Sequence, residues 1–292
     1  MNENIHIQAI PSFNNNNHFV DVLRLDELHP IVSGNKWFKL KYYIQYAKAN
    51  HIETIASFGG PYSNHLVALA FSAKQNNLKS IGYLRTNANE PLTPSLQEAI
   101  QYGMDLQFLG RTHFQLLKNE LIQQNGTTNL FFVDEGGYGS LGAKGAATIL
   151  NIEKTNNYSH IICAVGTGTM MAGLINASKA HQHIIGIPVL KNEQTIDQEI
   201  NRLLIETKKN YTLLHDYHLG GYAKTTQAQF AFMNQLWQSE KIPTDIVYTS
   251  KVFMAVKNLI DSNYFSPNAQ ILIIHSGGLQ GNRSVPAGTL LF

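Results

Sequence analysis

The sequence contains a single cysteine, Cys163, among 292 residues. One thiol can form neither an intrachain disulfide nor a metal site built from several cysteines. Without a disulfide framework a reducing compartment is favoured, and we expect a cytoplasmic protein. The first residues lack a basic stretch followed by an apolar one, so we expect no secretory signal peptide. No run of about 18 apolar residues is present, so we expect no membrane span.

Charge is also scarce. Charged residues make up 14% of the chain and the formal net charge is +2, whereas an average soluble chain has about 25% charged residues. Because no basic stripe is present, we expect no nucleic-acid partner. The hydrophobic fraction is 43%, and this fraction with so low a net charge is not typical of a disordered chain. The length corresponds to one large domain or two domains.

Short apolar runs alternate with helical patterns from about residue 40 onward. This alternation predicts an α/β protein with parallel sheets that are covered on both faces. A glycine-rich stretch, 135–142, is interpreted as a crossing between two lobes, and 14–17 as a loop. The predicted helices are 40–50, 64–75, 94–102, 114–124, 143–155, 170–180, 193–208 and 226–239, and the predicted strands are 54–58, 80–84, 105–109, 130–133, 160–165, 183–190 and 271–275.

Two lysines, Lys36 and Lys39, lie three residues apart at a helix start, beside Trp37 and Phe38. At this spacing both lysines lie on one face of the helix. A lysine among apolar neighbours has a lowered pKa, and its free amine can form a Schiff base with a carbonyl group. The alternative is a pair of hydrated lysines on an amphipathic helix.

A second polar motif, Ser63-Asn64-His65, follows a glycine-rich turn between a predicted strand and a predicted helix. Ligands of α/β proteins bind at the carboxyl ends of parallel strands, so this cluster is a candidate binding segment. The alternative is structural, because Ser63 or Asn64 can cap the helix without any ligand.

A third motif, Gly166-Thr167-Gly168-Thr169, lies between an apolar strand and a helix. Backbone amides at a helix N-terminus form an anion site that suits phosphate. A dinucleotide fingerprint needs glycine or alanine where Met171 stands, and an acid after the next strand, which is missing. No Walker lysine is present either. A phosphate-bearing cofactor with a Schiff-base lysine satisfies both motifs, and pyridoxal phosphate is such a cofactor.

These segments together resemble the pyridoxal-phosphate enzymes of the 1-aminocyclopropane-1-carboxylate deaminase and D-cysteine desulfhydrase family, which have the tryptophan-synthase-β-like fold, fold type II. The chain departs from the family pattern at Phe38, where members usually have arginine, and at Ile246 and Ser250, where they often have proline and glycine. The segments that carry the resemblance are 33–40, 63–65, 135–137, 166–169, 221–222, 247–249 and 275–278.

The resemblance implies two doubly wound parallel-sheet lobes with the cofactor between them. The large cofactor-binding domain would be 1–46 and 140–292, and the small α/β domain 47–139. A homodimer that acts on a small amino acid, with no metal ion, is also implied. The implied catalytic residues are Lys36, which forms the Schiff base, Ser63, Tyr222 and Tyr248; the implied cofactor contacts are Lys36, Lys39, Asn64, Gly166, Thr167, Gly168, Thr169, Thr249 and Ser276; the implied substrate contacts are Ser63, Asn64, His65, Tyr222 and Tyr248.

The family divides by substrate. Members that open the cyclopropane ring have glutamate and glutamine at the positions of Thr249 and His65, whereas the residues found here are typical of desulfhydrase-like members. A hydroxyl of Thr249 or Ser276 facing the pyridine nitrogen would leave the ring largely neutral, which suits elimination of a good leaving group. We therefore expect β-elimination from D-cysteine, giving a 2-oxo acid, ammonia and sulfide.

Two alternatives stay open within the resemblance. One is ring opening of 1-aminocyclopropane-1-carboxylate to 2-oxobutanoate and ammonia. The other is a non-catalytic relative that binds the cofactor or a metabolite. A rival from another class, a nucleotide-binding oxidoreductase, is disfavoured by Met171 and by the missing acid.

Overall fold

The computed structural model describes residues 5–14, 18–85, 90–123, 129–152, 154–191, 195–206 and 210–292. The strands in these ranges are β1 (Ile7–Ala9), β2 (His18–Leu23), β3 (Thr54–Gly59), β4 (Lys79–Leu84), β5 (Met104–Phe108), β6 (Leu130–Val133), β7 (His160–Val165), β8 (His183–Pro188), β9 (Tyr211–Leu213) and β10 (Ala269–Ile274). The α-helices are α1 (Asn35–Ala49), α2 (Asn64–Gln75), α3 (Pro94–Gln101), α4 (Arg111–Gln123), α5 (Ser140–Ala147), α6 (Thr169–Ala177), α7 (Ile196–Asn201), α8 (Gln227–Glu240) and α9 (Thr249–Asp261).

The strands form two sheets. The six-stranded sheet has the order β1-β2-β10-β7-β8-β9, and the four-stranded sheet has the order β5-β4-β3-β6. Every pair of neighbouring strands is parallel except β1 and β2, which are antiparallel at one edge. Parallel neighbours require crossover connections, and here helices supply them. The predicted α/β class with two parallel sheets is confirmed.

Side-chain alternation gives the six-stranded sheet two buried faces. On β7, Ile162 lies in a core shared with α9, while Ile161 and Cys163 lie in a second core shared with α5 and α6. Successive residues of a strand point to opposite faces, so a strand buried on both sides is apolar throughout. The division into domains at 46/47 and 139/140 stays a prediction.

Helix α1 packs into two cores at once. Phe38 lies in the core between the six-stranded sheet and α5 and α6, whereas Leu40, Tyr43 and Ile44 lie in the core of the four-stranded sheet. Both groups are buried. Helix α1 therefore connects the packing of the two sheets, and the lysines at its start lie where the two cores meet.

Most predicted strands and helices are confirmed within one to three residues, but the helix predicted at 40–50 begins five residues earlier, at Asn35, and two other predicted helices are shorter. The helix predicted at 143–155 begins earlier, at Ser140, ends at Ala147 and continues as a 3₁₀ turn. The helix predicted at 193–208 is reduced to α7. After α7 the amides of Leu203 and Leu204 donate to carbonyl oxygens three residues earlier, which is the pattern of a tight turn. Those turns bring Leu203 and Leu204 against the apolar core, so tertiary packing overrides the local pattern. Positions 15–17, 124, 153, 193–194 and 207–208 of the predicted elements lie outside the described residues.

Four elements were not predicted: β1, β2, β9 and α9. Helix α9 had a readable signal, because five large apolar residues recur at helical spacing, and these five are buried. These residues are Val252, Phe253, Val256, Leu259 and Ile260. Among the described residues, no helix combines the length and the apolar character that crossing a membrane requires.

Gly145 generates a stability prediction. A Cβ atom there would lie 2.0 Å from the carbonyl oxygen of Phe38 and 3.2 Å from the Cα atom of Lys39. Alanine is favoured over glycine in a helix by roughly 0.5–1 kcal/mol, but overpacking costs about 1–3 kcal/mol. Because the contacted atoms are backbone, we expect Gly145→Ala to lower the free energy of unfolding by about 1–2 kcal/mol in urea denaturation.

The matched control is Gly110→Ala, where a Cβ atom meets nothing within 4 Å. It should change the free energy of unfolding by less than about 0.5 kcal/mol. A Gly145→Ala protein as stable as the unmodified chain would show that α1 and α5 do not need this close approach.

Candidate functional site

Two adjoining cavities lie at the carboxyl ends of the parallel strands. The inner cavity has a volume of about 60 Å³, and the cleft has a volume of about 950 Å³. Ligand sites usually have about 300–1,000 Å³, so the cleft has room for a cofactor together with a substrate. The two cavities share Lys36, Asn64, Gly136, Gly166, Thr167 and Tyr248.

Lys36 is held at the inner cavity by a tight backbone crossing. Gly34 has a φ of +64°, and a Cβ atom there would lie 1.9 Å from the carbonyl oxygen of Ser276. Only glycine fits so close to another backbone. The amide of Asn35 donates to the same carbonyl oxygen at 3.1 Å. The start of α1 is thereby joined to the loop that follows β10.

The two lysines have unusual electrostatics. The Nζ atom of Lys36 donates to Oδ1 of Asn35 at 3.0 Å. Loss of hydration lowers the pKa of Lys36 to about 8, and the carboxylate of Asp245 partly offsets this. Lys39 is buried and donates to the carbonyl oxygen of Gly136 at 3.3 Å. Burial, with the nearby charge of Lys36, holds the pKa of Lys39 well below its usual range. A free amine near neutral pH is what a Schiff-base lysine requires.

Residues 63–65 lie at the N-terminus of α2. Oγ of Ser63 accepts from the amide of Leu66 at 3.2 Å, so Ser63 caps the helix. The side-chain amide of Asn64 donates to the carbonyl oxygen of Gly278 at 3.2 Å, while its Oδ1 is buried without a partner. The capping hypothesis is confirmed for Ser63, and Asn64 lines the inner cavity.

His65 is buried beneath the cleft. Its Nε2 lies 2.9 Å from Oγ of Ser57, and its Nδ1 has no partner. Burial and the charges of Lys36 and Lys39 hold the pKa of His65 well below its usual range, so the ring is neutral. A neutral imidazole can donate or accept a hydrogen bond but carries no charge toward a substrate.

The glycine-threonine loop begins helix α6. Gly168 has a φ of +78° at the N-cap position. The hydroxyls of Thr167 and Thr169 lie 2.9 Å apart. Gly166, Thr167 and Gly168 line the inner cavity, whereas Thr169 lines neither cavity. The first amides of a helix have no intrahelical partner, so this loop offers them to an anion at the cavity wall.

Two tyrosines form the outer wall of the cleft. The rings of Tyr222 and Tyr248 meet edge to face with centroids 6.2 Å apart. Burial, together with the neighbouring Tyr222, holds the pKa of Tyr248 well above its usual range. Tyr248 therefore keeps its proton at neutral pH. Tyr222 is 54% exposed at the mouth of the cleft.

The structure separates the two hydroxyls that could face a pyridine nitrogen. Ser276 lines the inner cavity. Thr249 lines neither cavity: its hydroxyl donates to Oδ1 of Asp245 and accepts from the amide of Asp245, both at 2.7 Å. The Thr249 hydroxyl is thus engaged by a neighbouring buried carboxylate, so of these two residues only Ser276 lines the inner cavity.

Asp245 was missed in the sequence. Its buried carboxylate accepts from the backbone amides of Val247, Tyr248 and Thr249 at 2.8–2.9 Å, so it binds the start of α9. An acid that precedes a helix by a few residues is a readable capping signal, but α9 itself was not predicted. Gln280 was also missed: this residue lines the inner cavity, and its Oε1 is buried without a partner.

These residues fit pyridoxal phosphate. Lys36 supplies an amine with a lowered pKa, the start of α6 supplies amides for a phosphate, and Oδ1 of Asn64 and Oε1 of Gln280 are polar atoms in need of partners. Buried polar atoms normally have hydrogen-bond partners, so unpaired oxygens on residues that line a cavity indicate a polar ligand. Within the described residues, no carboxylate lines the inner cavity.

Comparison with known proteins agrees with this cofactor. A family model described as pyridoxal-phosphate dependent enzyme matches residues 14–277. The chain is 25% identical over 281 residues to the D-cysteine desulfhydrase of Klebsiella pneumoniae, covering 88% of this chain and 86% of that protein. It is 26% identical over 284 residues to the bifunctional D-cysteine desulfhydrase/1-aminocyclopropane-1-carboxylate deaminase of Arabidopsis thaliana, covering 86% of this chain and 70% of that protein.

A solved structure extends the likeness to three dimensions. The crystal structure of an ACC deaminase homologue matches with a TM-score of 0.82 at 22% identity, covering 95% of this chain and 90% of that chain. The two chains therefore share a fold, the fold of a type II pyridoxal-phosphate enzyme.

The lowered pKa of Lys36 predicts a pH dependence for cofactor attachment. The neutral amine is the reacting form, and its fraction rises with pH until the pH exceeds the pKa. We expect the rate of pyridoxal phosphate addition to the cofactor-free protein to rise about tenfold per pH unit at low pH. It should level off above pH about 8. Stopped-flow absorbance measures this rate. A rate that continues to rise up to pH 10.5, the ordinary pKa of lysine, would contradict the assignment of Lys36 as the attachment residue.

Proposed function

Because the chain belongs to the pyridoxal-phosphate dependent enzyme family, we propose that it is a lyase that eliminates a leaving group from Cβ of a small amino acid. D-cysteine is the first candidate substrate, giving a 2-oxo acid, ammonia and sulfide. The relatives that match most of the chain are named for D-cysteine desulfhydration and for aminocyclopropane-carboxylate deamination. The proposal therefore concerns which of these two substrates the chain uses.

Four groups of residues would hold the cofactor. Lys36 would form the covalent bond, the amides at Gly166–Gly168 would bind the phosphate, and Asn64 and Ser276 would contact the ring. The chemistry that pyridoxal phosphate supplies when bound is an electron sink for the bonds at the substrate Cα.

The chain's own residues then position the substrate and move protons. The N-terminus of α2, with Asn64 and His65 in its first turn, suits the substrate carboxylate because its free amides and dipole favour an anion. The amine of Lys36, with a pKa of about 8, can accept the Cα proton near neutral pH. Tyr248 holds its phenolic proton and can donate it to a leaving sulfur.

One observation supports elimination over ring opening: the wall of the inner cavity offers the hydroxyl of Ser276 and, within the described residues, no carboxylate. A carboxylate beside a pyridine nitrogen favours its charged form. A hydroxyl leaves the ring largely neutral, a weaker sink, which is sufficient when a good leaving group departs. The carboxylate of Asp245 does not act as a carboxylate beside the pyridine nitrogen, because its oxygens already accept four hydrogen bonds.

Ring opening of 1-aminocyclopropane-1-carboxylate is the second candidate. The name of the Arabidopsis relative includes this activity, and the tyrosine pair supplies a protonated hydroxyl at the same wall. This candidate requires the site to stabilise more negative charge on Cα than a hydroxyl-lined wall does. An assay of both substrates separates the two candidates.

Replacement of each lysine tests the cofactor assignment. Lys36→Ala should abolish borohydride fixation of the cofactor to the chain and lower turnover by at least about 10³-fold, because the nucleophile and the proton acceptor are lost together. Lys39→Ala should keep the covalent attachment, and mass spectrometry of the reduced protein measures it. Attachment that survives Lys36→Ala and is lost with Lys39→Ala would reverse the assignment.

Ser276→Asp tests the substrate. A carboxylate at the inner cavity should favour a protonated pyridine, change the cofactor's visible spectrum and lower D-cysteine elimination by about tenfold or more. The matched control is Ser284→Asp, which adds a carboxylate at an exposed position of the cleft, outside the inner cavity. A wild-type enzyme that opens the cyclopropane ring efficiently and ignores D-cysteine would overturn the proposal.

A further inference from the structure

A buried lysine lies outside the residues assigned above. Lys251 on α9 has no exposed surface, and its Nζ donates to the carbonyl oxygen of Gly221 at 2.7 Å. The carboxylate of Asp245 favours its charged form, whereas burial opposes it, and the pKa falls to about 8. Lysine is almost never fully buried unless it is paired. This lysine pairs with a backbone carbonyl on the loop that carries Tyr222.

That loop is strained. Leu219 and Ala223 have φ values of +51° and +53°, and Gly220 and Gly221 have values of +90° and +118°. Left-handed backbone is costly for residues other than glycine and persists where the surroundings hold it. Gly220, Tyr222 and Ala223 are exposed, so few packing contacts of the loop itself hold its backbone in this conformation. Its buried anchor is the carbonyl of Gly221.

The hydrogen bond from Lys251 to Gly221 connects α9 to the loop that carries Tyr222. Tyr248 and Lys251 are three residues apart at the start of α9, so they lie on one side of the helix. Lys251 donates to the carbonyl oxygen of Gly221, and the ring of the next residue, Tyr222, meets the ring of Tyr248 edge to face. One helical turn therefore holds both tyrosines, one directly and one through Lys251.

A buried charge such as that of Lys251 need not increase the stability of the fold. An apolar side chain of similar volume is often as stable in a buried position as an ion is. A charged donor instead gives a short, directional hydrogen bond to a carbonyl. Its effect here is to fix the position of the Gly221 carbonyl, and with it the place of Tyr222.

We propose that Lys251 is a positioning residue that holds Tyr222 against Tyr248 on the substrate side of the cleft. Its effect on turnover rests on the proposed function, because Tyr222 is placed at the substrate. The geometry of the loop does not depend on which amino acid the enzyme uses, so it can be tested separately.

Hydrogen exchange tests the anchor in the cofactor-loaded protein. Lys251→Met keeps the length of the side chain and removes the donor, and we expect the amides of 219–224 to exchange about tenfold faster. The matched control is Lys257→Met, an exposed lysine on the same helix that pairs with Asp261, and it should leave these amides unchanged. Lys251→Gln, which keeps an uncharged donor, should fall between. Equal exchange in all four proteins would overturn the proposal.

Steady-state kinetics with D-cysteine test the consequence. Lys251→Met should raise KM about tenfold, with the cofactor spectrum unchanged, because Tyr222 no longer has a fixed position. Tyr222→Phe should then have little further effect in the Lys251→Met background, whereas fully additive effects would overturn the positioning role. A wild-type protein that ignores D-cysteine would contradict the proposed function, and the exchange experiment would still decide whether Lys251 anchors the loop.

Discussion

The close approach of α1 to α5 is the contact on which the rest of the structure depends. Gly145 lacks the side chain that would collide with the carbonyl of Phe38, so the backbones of the two helices touch. Phe38 then enters the core of the six-stranded sheet while the opposite side of α1 packs on the four-stranded sheet. The lysines at the start of α1 are held between the two sheets because this one helix belongs to both cores.

The site follows from this arrangement and from the direction of the strands. Parallel strands bring their carboxyl ends to one edge, where the loops after β3, β7 and β10 meet. These loops bring Ser63, Gly166 and Ser276 to the cavities. Helices α2 and α6 start from two of the loops, so their free amides and positive dipole ends point into the same region. A substrate carboxylate and a cofactor phosphate would thus be bound by backbone as much as by side chains.

Burial sets the protonation of the site. Low hydration gives Lys36 a reactive amine, leaves His65 neutral and keeps the proton on Tyr248. Burial raises the pKa of Asp245 above its ordinary value, and the three backbone amides and one hydroxyl that donate to its carboxylate act in the opposite direction. The charge of Asp245 partly offsets the lowering of the pKa that burial causes at Lys36 and at Lys251. Asp245, which caps α9, therefore influences the pKa of both Lys36, the proposed nucleophile, and Lys251, the lysine that donates to Gly221.

The sequence by itself determined the features that depend on near neighbours: the strand-helix alternation, the start of α2 at Ser63, and the loop at Gly166–Thr169 that begins α6. It could not show that the Thr249 hydroxyl is occupied by Asp245, that Gln280 enters the inner cavity, or that Lys251 reaches Gly221. Asp245 and Thr249 are close in the chain, but their bond depends on the unpredicted helix α9. The other contacts join residues 30 or more positions apart. They were decided by tertiary packing, because hydrogen bonds and desolvation act over a few ångströms in space and are independent of distance along the chain.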